Sequence, residues 1–358
     1  MTSSSSLRTS KAAAFAWAAC AAALVLLVGT VVLLLSGPSN ATLQGFEVAE
    51  EHMIPPERAA RIPDAGYVQI ARGDQTTTLV YDEEHGWTVD EFDGFPANET
   101  TVTDFLGALS RLRAVQVSQG PADAERTGLG SNDLIPPERI TVHERRGGER
   151  IAAVTLGNAL TTNDGTSLQK TFVQVDDDPR AWINDGPVTA SAAPADWINR
   201  EILHFPSARI ETMEIEEPAG EKIVLIMDYG RVGIDTQSTT RRGVIDSQVA
   251  MELPRILENF LAVGARRADE TDAYEEPLRI SYGAETAVLD AFVYQIEGQN
   301  WIRFDPDSAA NASARSLDVA APSDLDIASW LFLPERPVRN RLISSIDDLF
   351  LWNPDAEE

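Results

Sequence analysis

An apolar segment of 24 residues without a charge, residues 12–35, is the feature that most constrains this chain. As a helix rising about 1.5 Å per residue it is roughly 36 Å long, which is enough to cross a hydrocarbon core of about 30 Å. A cleaved signal peptide has a shorter apolar core that ends at a small-residue cleavage site. The segment therefore predicts an uncleaved transmembrane helix over residues 12–35.

The charges on either side of this segment predict its orientation. Arg8 and Lys11 precede it, whereas the first basic residue after it is Arg58 and several glutamates come before that arginine. Positive charges near a membrane helix stay on the cytoplasmic side. We therefore expect residues 1–11 to form a cytoplasmic N-terminus and the bulk of the chain to be extracytoplasmic, with one pass through the membrane.

The charge and cysteine content of the remaining chain exclude several functions. Beyond residue 35 there are 27 basic and 56 acidic residues. Such an acidic surface repels phosphate backbones, so we expect no nucleic-acid partner. The only cysteine, Cys20, lies in the apolar segment. The rest of the chain can therefore form no internal disulfide, cysteine-based zinc site or thiol nucleophile.

Local patterns predict how the extracytoplasmic part is organised. Residues 36–60 are polar and rich in Pro and Gly, which predicts a linker, and folding is expected to begin near Arg61. Three short strands around Val68, Val80 and Val89 form a predicted antiparallel meander. Asn98 then caps a predicted amphipathic helix that ends near residue 113.

The same order of patterns recurs 145 residues later and predicts an internal duplication. A second helix carries an apolar face, and Pro254 within it predicts a kink or a late start. Val263 matches Val115 at an offset of 148. At the offset of 145, Val68 aligns with Met213, Ile70 with Ile215, Val80 with Leu225 and Val89 with Ile234; the apolar face of the second helix is Val249, Leu253, Ile256, Leu257, Phe260 and Leu261.

Further alternating segments predict β-hairpins between and after the repeats, and together they indicate an α+β fold. The domain prediction is a first meander-helix repeat with extra hairpins (61–205), a second repeat and following hairpin (206–304), and a loop with a C-terminal strand and helix (305–358). The loop is expected over 305–324 and the strand and helix over 329–350. The predicted hairpin strands are 139–144, 151–156, 171–175, 181–183, 278–282, 287–296 and 301–304.

The sequence assigns no catalytic, cofactor-binding or metal-binding residue. His52, His85, His143 and His204 lie too far apart in sequence to predict a metal site, and they are interpreted as surface histidines. The acidic run 176–178 and the segment 163–165 could ligate calcium, but neither has the spacing of a calcium loop, and turns explain both. We therefore expect a protein that is not an enzyme and has no cofactor.

Two tryptophans leave an alternative open. Trp182 and Trp197 could form a stacking platform for sugars or peptides, whereas core packing is the interpretation that their position favours. The first interpretation predicts exposed indole faces, and the second predicts buried ones.

Several short motifs, in a fixed order, resemble one protein family. They are GWTV at 86–89, GFPA at 94–97, LSRLRA at 109–114, TGLG at 127–130, LG at 156–157, FVQV at 172–175 and PADWINR at 194–200. The last is the most specific, through its Trp-aliphatic-Asn-Arg element. In this order the motifs resemble the bacterial single-pass proteins that carry the domain of unknown function (DUF) 4340.

This resemblance implies a membrane-anchored accessory protein of the bacterial inner (cytoplasmic) membrane, with its bulk in the periplasm. Members are often encoded beside ABC-type transporter subunits related to gliding-motility systems. The expected partners are therefore the membrane and the permease, ATPase or auxiliary subunits of such a transporter. The alternative is an extracytoplasmic module that binds a glycan or a lipid. The first function predicts apolar or aromatic patches exposed on the folded domain or the membrane helix, and the second predicts a deep pocket between the repeats.

Overall fold

A computed structural model describes residues 43–130, 136–160, 170–228, 231–241, 243–268, 274–284, 287–305 and 326–352. The chain divides into two compact units, Met1–Val48 and Ala49–Glu358. In the first unit, strand β1 is Phe46–Val48. The predicted anchor over 12–35 lies outside the described residues. Within the described ranges, no helix has the length and apolar character needed to cross a membrane.

The second unit is mostly antiparallel β-sheet with few helices, which confirms the predicted class at this level. The predicted strands of the first meander and of the hairpins are all present, within a few residues at each end. The strands of the first sheet are β2 (Tyr67–Arg72), β3 (Gln75–Asp82), β4 (Gly86–Val89), β5 (Phe95–Pro96), β6 (Ala114–Pro121), β7 (Glu138–His143), β8 (Arg150–Leu160), β9 (Lys170–Val175) and β10 (Arg180–Asn184).

A second sheet and a short two-stranded ribbon complete the β-structure. Strands β15 and β21 form the ribbon, and the other strands belong to the second sheet. Their bounds are β11 (Glu201–Leu203), β12 (Thr212–Glu216), β13 (Lys222–Asp228), β14 (Arg231–Ile234), β15 (Val244–Ile245), β16 (Phe260–Arg267), β17 (Leu278–Ala284), β18 (Ala287–Ile296), β19 (Gln299–Asp305), β20 (Trp330–Pro334) and β21 (Phe350–Trp352).

The two sheets share one strand order. Strands β6-β10-β9-β8-β7-β2-β3-β4 lie side by side in the first sheet, and β16-β20-β19-β18-β17-β12-β13-β14 lie side by side in the second. Each strand of the second series therefore occupies the position of its counterpart in the first. The predicted match of Val115 with Val263 agrees with this order, since these residues lie in β6 and β16.

The register corrects one of the predicted equivalences. Val68 pairs with Leu79 in the first sheet, and Met213 pairs with Leu225 in the second. The counterpart of Leu225 is therefore Leu79 and not Val80. Both leucines are fully buried, whereas Val80 lies on the opposite face of its strand. The offset changes by one residue because the loop between β12 and β13 is longer than the turn between β2 and β3.

Helices are short apart from one. Helix α2 begins after Asn98, as predicted, and the side chain of Asn98 accepts a hydrogen bond from Thr101 N at 3.0 Å. It ends at Ser110, before the predicted end near residue 113, because the chain turns there into β6. The α-helices are α1 (Pro56–Ala59), α2 (Glu99–Ser110), α3 (Ala124–Thr127), α4 (Ser247–Glu252) and α5 (Arg336–Arg339).

Several 3₁₀ turns connect these elements. They are Ile62–Asp64, Asp90–Phe92, Pro194–Trp197, Ser207–Arg209, Pro254–Leu257, Ile327–Ser329 and Ile346–Leu349.

The second predicted helix is much shorter than expected. Helix α4 ends at Glu252, a 3₁₀ turn follows over Pro254–Leu257, and β16 begins at Phe260. Phe260 and Leu261 therefore belong to a strand and not to the helix. Proline has no N–H to donate to the preceding turn, which explains why the α-helix does not continue through Pro254.

Both ends of the second unit differ from their predictions. The predicted C-terminal strand is present as β20, but instead of one long helix the chain forms α5 and a separate 3₁₀ turn over Ile346–Leu349. The predicted loop over 305–324 lies, apart from Asp305, outside the described residues. At the other end, packing begins before Arg61. Met53 and Ile54 of the expected linker are apolar and are buried in the core.

Side chains from both sheets form one continuous core. Phe95 of β5 meets Trp330 and Phe332 of β20 edge to face, with ring centroids 4.8 and 5.9 Å apart. Edge-to-face aromatic pairs of this kind contribute about 0.5–1.5 kcal/mol beyond the area that they bury. The two sheets are therefore packed together within the second unit.

Candidate functional site

A cavity of about 420 Å³ lies between α2 and the segment that follows β10. Helix α2 contributes Thr101, Asp104, Phe105 and Ala108 to its wall. These residues are three or four positions apart, so they project from one face of the helix. Phe105 is buried, while Thr101 and Asp104 are exposed at the rim.

The opposite wall is the segment 187–191 together with Asp196 and Trp197. Hydrogen bonds within this segment fix its shape. Trp197 Nε1 donates to Ser191 O at 2.7 Å, and Ser191 Oγ donates to Asp196 Oδ2 at 2.5 Å. Val188 N donates to Thr171 Oγ1 of β9 at 3.5 Å. The wall is therefore held by the indole, a side-chain hydroxyl and the neighbouring sheet.

The helix and this segment are also joined to each other. Asn98 N, at the start of α2, donates to Trp197 O at 2.6 Å. The rings of Phe105 and Trp197 meet edge to face with their centroids 5.0 Å apart. Both rings are buried, with 6% and 3% of their surface exposed. The cavity is consequently preformed, and its floor is apolar.

The rim of the cavity is acidic. Asp104 and Asp196 line it, and the described lining includes no lysine, arginine or histidine. Asp196 accepts the Ser191 hydroxyl, whereas Asp104 makes no hydrogen bond or ion pair within the described part of the chain. The site as built favours a neutral or positively charged ligand over an anion.

The two tryptophans considered from the sequence lie in different places. Trp197 lines the cavity and packs edge to face against Phe105. Trp182 lies on β10, is only 6% exposed, and carries the guanidinium of Arg180 over its ring at 4.7 Å. Neither indole presents an open face, so they do not form a shared stacking platform. The packing interpretation fits both.

Each of the three aspartates in the acidic run 176–178 forms an ion pair with a different arginine. Asp176 accepts two hydrogen bonds from Arg58, at 2.7 and 3.0 Å, and Asp178 accepts a close pair from Arg180. The side chain of Asp177 lies 3.7 Å from Arg150. The Arg180 hydrogen bond lowers the pKa of Asp178 below its usual value. Each carboxylate thus has its own cation, and the three do not converge on one point.

The histidines are also dispersed. His85 is in the turn between β3 and β4 and contacts Asp82, and this hydrogen bond lowers the pKa of Asp82. His143 Nδ1 is 3.2 Å from Gly148 O, and His204 is 3.8 Å from a carboxylate oxygen of Glu201. No group of three or more metal-ligating side chains occurs among the described residues. Residues 163–165 lie outside that part of the chain.

A second candidate surface is the apolar ribbon, defined here as β15 and β21. Its residues Ile245 and Phe350 pack against the core, whereas Val244 and Leu351 are 57% and 68% exposed. Asp246 N donates to Leu349 O at 2.7 Å at one end of the ribbon. Arg241 forms ion pairs with Glu221 and Asp347 beside it.

Sequence reasoning did not find the cavity or the ribbon. Five strands, β6 to β10, lie between Asp104 and Asp196 in the chain, and nothing local to either residue indicates that they share a cavity. The PADWINR motif at 194–200 was the available signal, since it contains Asp196 and Trp197. The sequence signal for the ribbon was weaker. It consisted of the apolar residues of segment 350–352, and the predicted C-terminal helix already included the first of them, Phe350.

Comparison with known proteins gives one match. The model of a domain of unknown function, DUF4340, matches residues 87–275. This range includes α2, the cavity and five of the nine strands of the second sheet, from β11 to β16. No curated protein and no solved structure matches the chain.

Proposed function

The chain belongs to the DUF4340 family, and from that premise we propose that it is a membrane-anchored, non-catalytic accessory protein of an ABC-type transporter system. Residues 12–35 anchor it in the bacterial inner membrane by one helix, with the N-terminus in the cytoplasm and the sheets in the periplasm. The permease, the ATPase or an auxiliary subunit is its partner. A single helix forms no conduction path by itself, so the protein acts through such a partner.

The observation that carries this proposal is the apolar ribbon. Val244 and Leu351 are large aliphatic side chains in adjacent strands, and both are mostly exposed. Isolated apolar residues are common on protein surfaces, but two on the paired strands of one surface ribbon favour contact with another protein. Burying side chains of this kind stabilises a complex by about 1.5–3 kcal/mol each when burial is complete.

We also propose that the two sheets arose by internal duplication. The shared order of eight strands and the offsets of 145 and 148 support it. The two copies differ at one place that matters for the ribbon. In the first sheet β4 pairs with β5, whereas in the second the strand after β14 pairs with β21 instead. The ribbon is therefore a feature of the second copy alone.

Site-specific photocrosslinking in intact membranes tests this function. A photoreactive side chain at Leu351 or Val244 is expected to form a covalent adduct with an ABC transporter subunit, identified by mass spectrometry. The matched control is Tyr81, which is 48% exposed and lies in the first sheet. Adducts with no transporter subunit, or equal adducts from Tyr81, would contradict the proposal.

The cavity favours a second candidate, an extracytoplasmic module that binds a glycan or a lipid. Its volume of about 420 Å³ lies in the usual range for small-molecule sites. A lipid acyl chain fits it less well than a polar ligand, because carboxylates and hydroxyls line the rim. Binding of a soluble glycan with no transporter subunit crosslinked at the ribbon would favour this candidate.

A further inference from the structure

The outer edge of β14 differs from the matching edge of the first sheet. There, β5 pairs with β4 through Val89 and Phe95 and covers the edge. Strand β14 pairs with β13 on one side, and no described strand pairs with its other side. Proteins usually protect such an edge, because an uncovered strand can pair with another chain. We propose that β14 pairs with β14 of a second copy of this chain, antiparallel across a two-fold axis. This proposal does not depend on the transporter role.

The hydrogen bonding of β14 determines which of its backbone groups face the uncovered edge. Asp235 N, just past the end of the strand, donates to Val224 O of β13 at 2.9 Å. In an antiparallel pair, successive residues alternate between bonding to the partner strand and facing away from it. Gly233, two residues before Asp235, therefore also bonds to β13. The N–H and C=O groups of Val232 and Ile234 consequently point to the uncovered edge.

The charges of this segment select one register for the pair. The chain from Arg231 to Asp235 reads Arg-Val-Gly-Ile-Asp. When Gly233 lies opposite its own copy on the two-fold axis, Arg231 of each chain lies opposite Asp235 of the other. Val232 then lies opposite Ile234, and these two residues, which also pack against the core, form the backbone hydrogen bonds of the pair. Opposite charges directly across two strands stabilise their pairing. A shift of two residues in either direction would lose both charged pairs.

The two charged side chains are available for this contact. Arg231 is exposed and forms no ion pair within the described ranges. Asp235 is held in place by Gln237 N, which donates to Oδ1 at 3.0 Å, and by Ser238 Oγ, which donates to Oδ2 at 2.7 Å. Each carboxylate oxygen can accept a further hydrogen bond. A side chain that is restrained before binding loses less entropy when the ion pair forms.

A second copy fits this edge better than an unrelated strand. The segment is complementary to itself, so one two-fold contact pairs the charges at both of its ends. The whole chain has a net charge of −27, and two copies therefore repel each other in general. A neutral segment that carries one charge of each sign is a place where they can meet with little repulsion. Because β14 has only four residues, the dimer is expected to be weak and to dissociate on dilution.

Disulfide trapping with the purified full-length protein in mild detergent tests the proposal. Opposite residues at the position of Gly233 would have their Cα atoms about 4.5 Å apart, which a disulfide can span. A Cβ atom at Gly233 would meet only Ile226 O, at 4.0 Å, so a cysteine fits there. In a Cys20→Ser background, Gly233→Cys should form a disulfide-linked dimer under mild oxidation. His85→Cys, in the exposed turn between β3 and β4, is the control and should stay monomeric.

A charge reversal separates this pairing from other ways of forming a dimer. Arg231→Glu places like charges opposite each other at both ends of the strand and should lower the yield of trapped dimer about tenfold. The melting temperature should not change, because Arg231 has no ion pair to lose within the described ranges. Arg145→Glu makes the same charge change in the exposed turn between β7 and β8 and should leave the yield unchanged.

Sedimentation equilibrium gives a measurement that needs no cysteine. The wild-type protein should show a monomer–dimer equilibrium, and Arg231→Glu should shift it to the monomer. A wild-type protein that stays monomeric at every concentration would overturn the proposal. So would a dimer that Arg231→Glu does not weaken, an equal loss in Arg145→Glu, or equal trapping through His85→Cys.

Discussion

Asn98 and Trp197 are joined by a hydrogen bond from the backbone N–H of the first to the carbonyl oxygen of the second, 2.6 Å long. The bond ties the start of α2 to the segment that leads into the second sheet. The adjacent residues Ala97 and Ile198 form an isolated β-bridge. The same short stretch of chain therefore shapes the cavity and connects the two sheets.

Replacing the side chain of Asn98 should destabilise the start of α2, which this side chain caps. Asn98→Ala removes the acceptor of the Thr101 N–H, and loss of an N-cap costs about 1 kcal/mol of the free energy of unfolding. Asn98→Asp keeps the acceptor and adds a negative charge at the helix N-terminus, so it should be neutral or stabilising. Urea unfolding followed by circular dichroism measures both. Equal destabilisation by Ala and Asp would show that the cap does not matter.

Arg58 should contribute more to the free energy of unfolding than Arg61, a more exposed arginine nearby. Its guanidinium donates to both oxygens of Asp176 and, through Nε, to Ile151 O at 2.6 Å. A lysine cannot form this planar fork. Arg58→Lys should therefore lower the free energy of unfolding by about 1.5 kcal/mol.

The control for this prediction is Arg61→Lys. Arg61 pairs with Glu144 and Glu149 in a more exposed position. Exposed ion pairs contribute little, so a smaller change is expected. If Arg61→Lys destabilises the protein as much as Arg58→Lys, the fork geometry is not the reason for the effect.

Sequence patterns predicted the strands of the meanders because their side chains alternate between a buried and an exposed face. They missed β6 and β16, which follow α2 and the Pro254–Leu257 turn within a few residues. At Phe260 and Leu261 the apolar spacing also fits a helix, and only their pairing with Leu203 and Glu201 of β11 decides for a strand. Pairing between residues far apart in the chain is information that a local pattern does not contain.

The cavity escaped prediction for a related reason. Asp104 looks like any polar residue on the exposed side of an amphipathic helix, and Asp196 looks like a turn residue before Trp197. They share a cavity only because β7 to β10 bring the chain back beside α2. What the sequence did indicate was that Trp197 packs, since it lies in a short motif just before the second sheet begins.

The partly buried carboxyl group of Glu138 should make the free energy of unfolding depend on pH. Burial raises its pKa above 4.5, against the opposing effect of Arg72 and of the Ala190 N–H. A carboxyl with a raised pKa binds its proton more tightly in the folded state, so its contribution to stability grows as pH falls through the folded pKa towards 4.5. Glu138→Gln imitates the protonated form.

The Glu138→Gln variant should therefore be more stable than the wild type at pH 7.5, and the difference should shrink as pH approaches 4.5. Thermal unfolding at a series of pH values measures this. Glu83→Gln, in the exposed turn after β3, is the control. A difference that stays constant or grows towards low pH would reverse the sign that we assign to Glu138.

The orientation in the membrane can be tested at His85. Its side chain is 60% exposed in the turn between β3 and β4. In a Cys20→Ser background, His85→Cys should react with an impermeant maleimide in intact spheroplasts. Ser4→Cys, in the predicted cytoplasmic N-terminus, should react only after lysis. The opposite labelling pattern would reverse the proposed topology.

The anchor should be needed for function and not for folding. Confinement to a membrane raises the effective concentration of a weakly binding partner by orders of magnitude. A form without residues 12–35, exported by a cleavable signal peptide, should therefore keep the melting temperature of the full-length protein and fail to complement a deletion strain. A control in which an unrelated single-pass helix replaces residues 12–35 should restore complementation, because tethering alone is required. If the untethered form complements fully, the protein does not need a membrane partner, and a soluble binding module becomes the better account of its function.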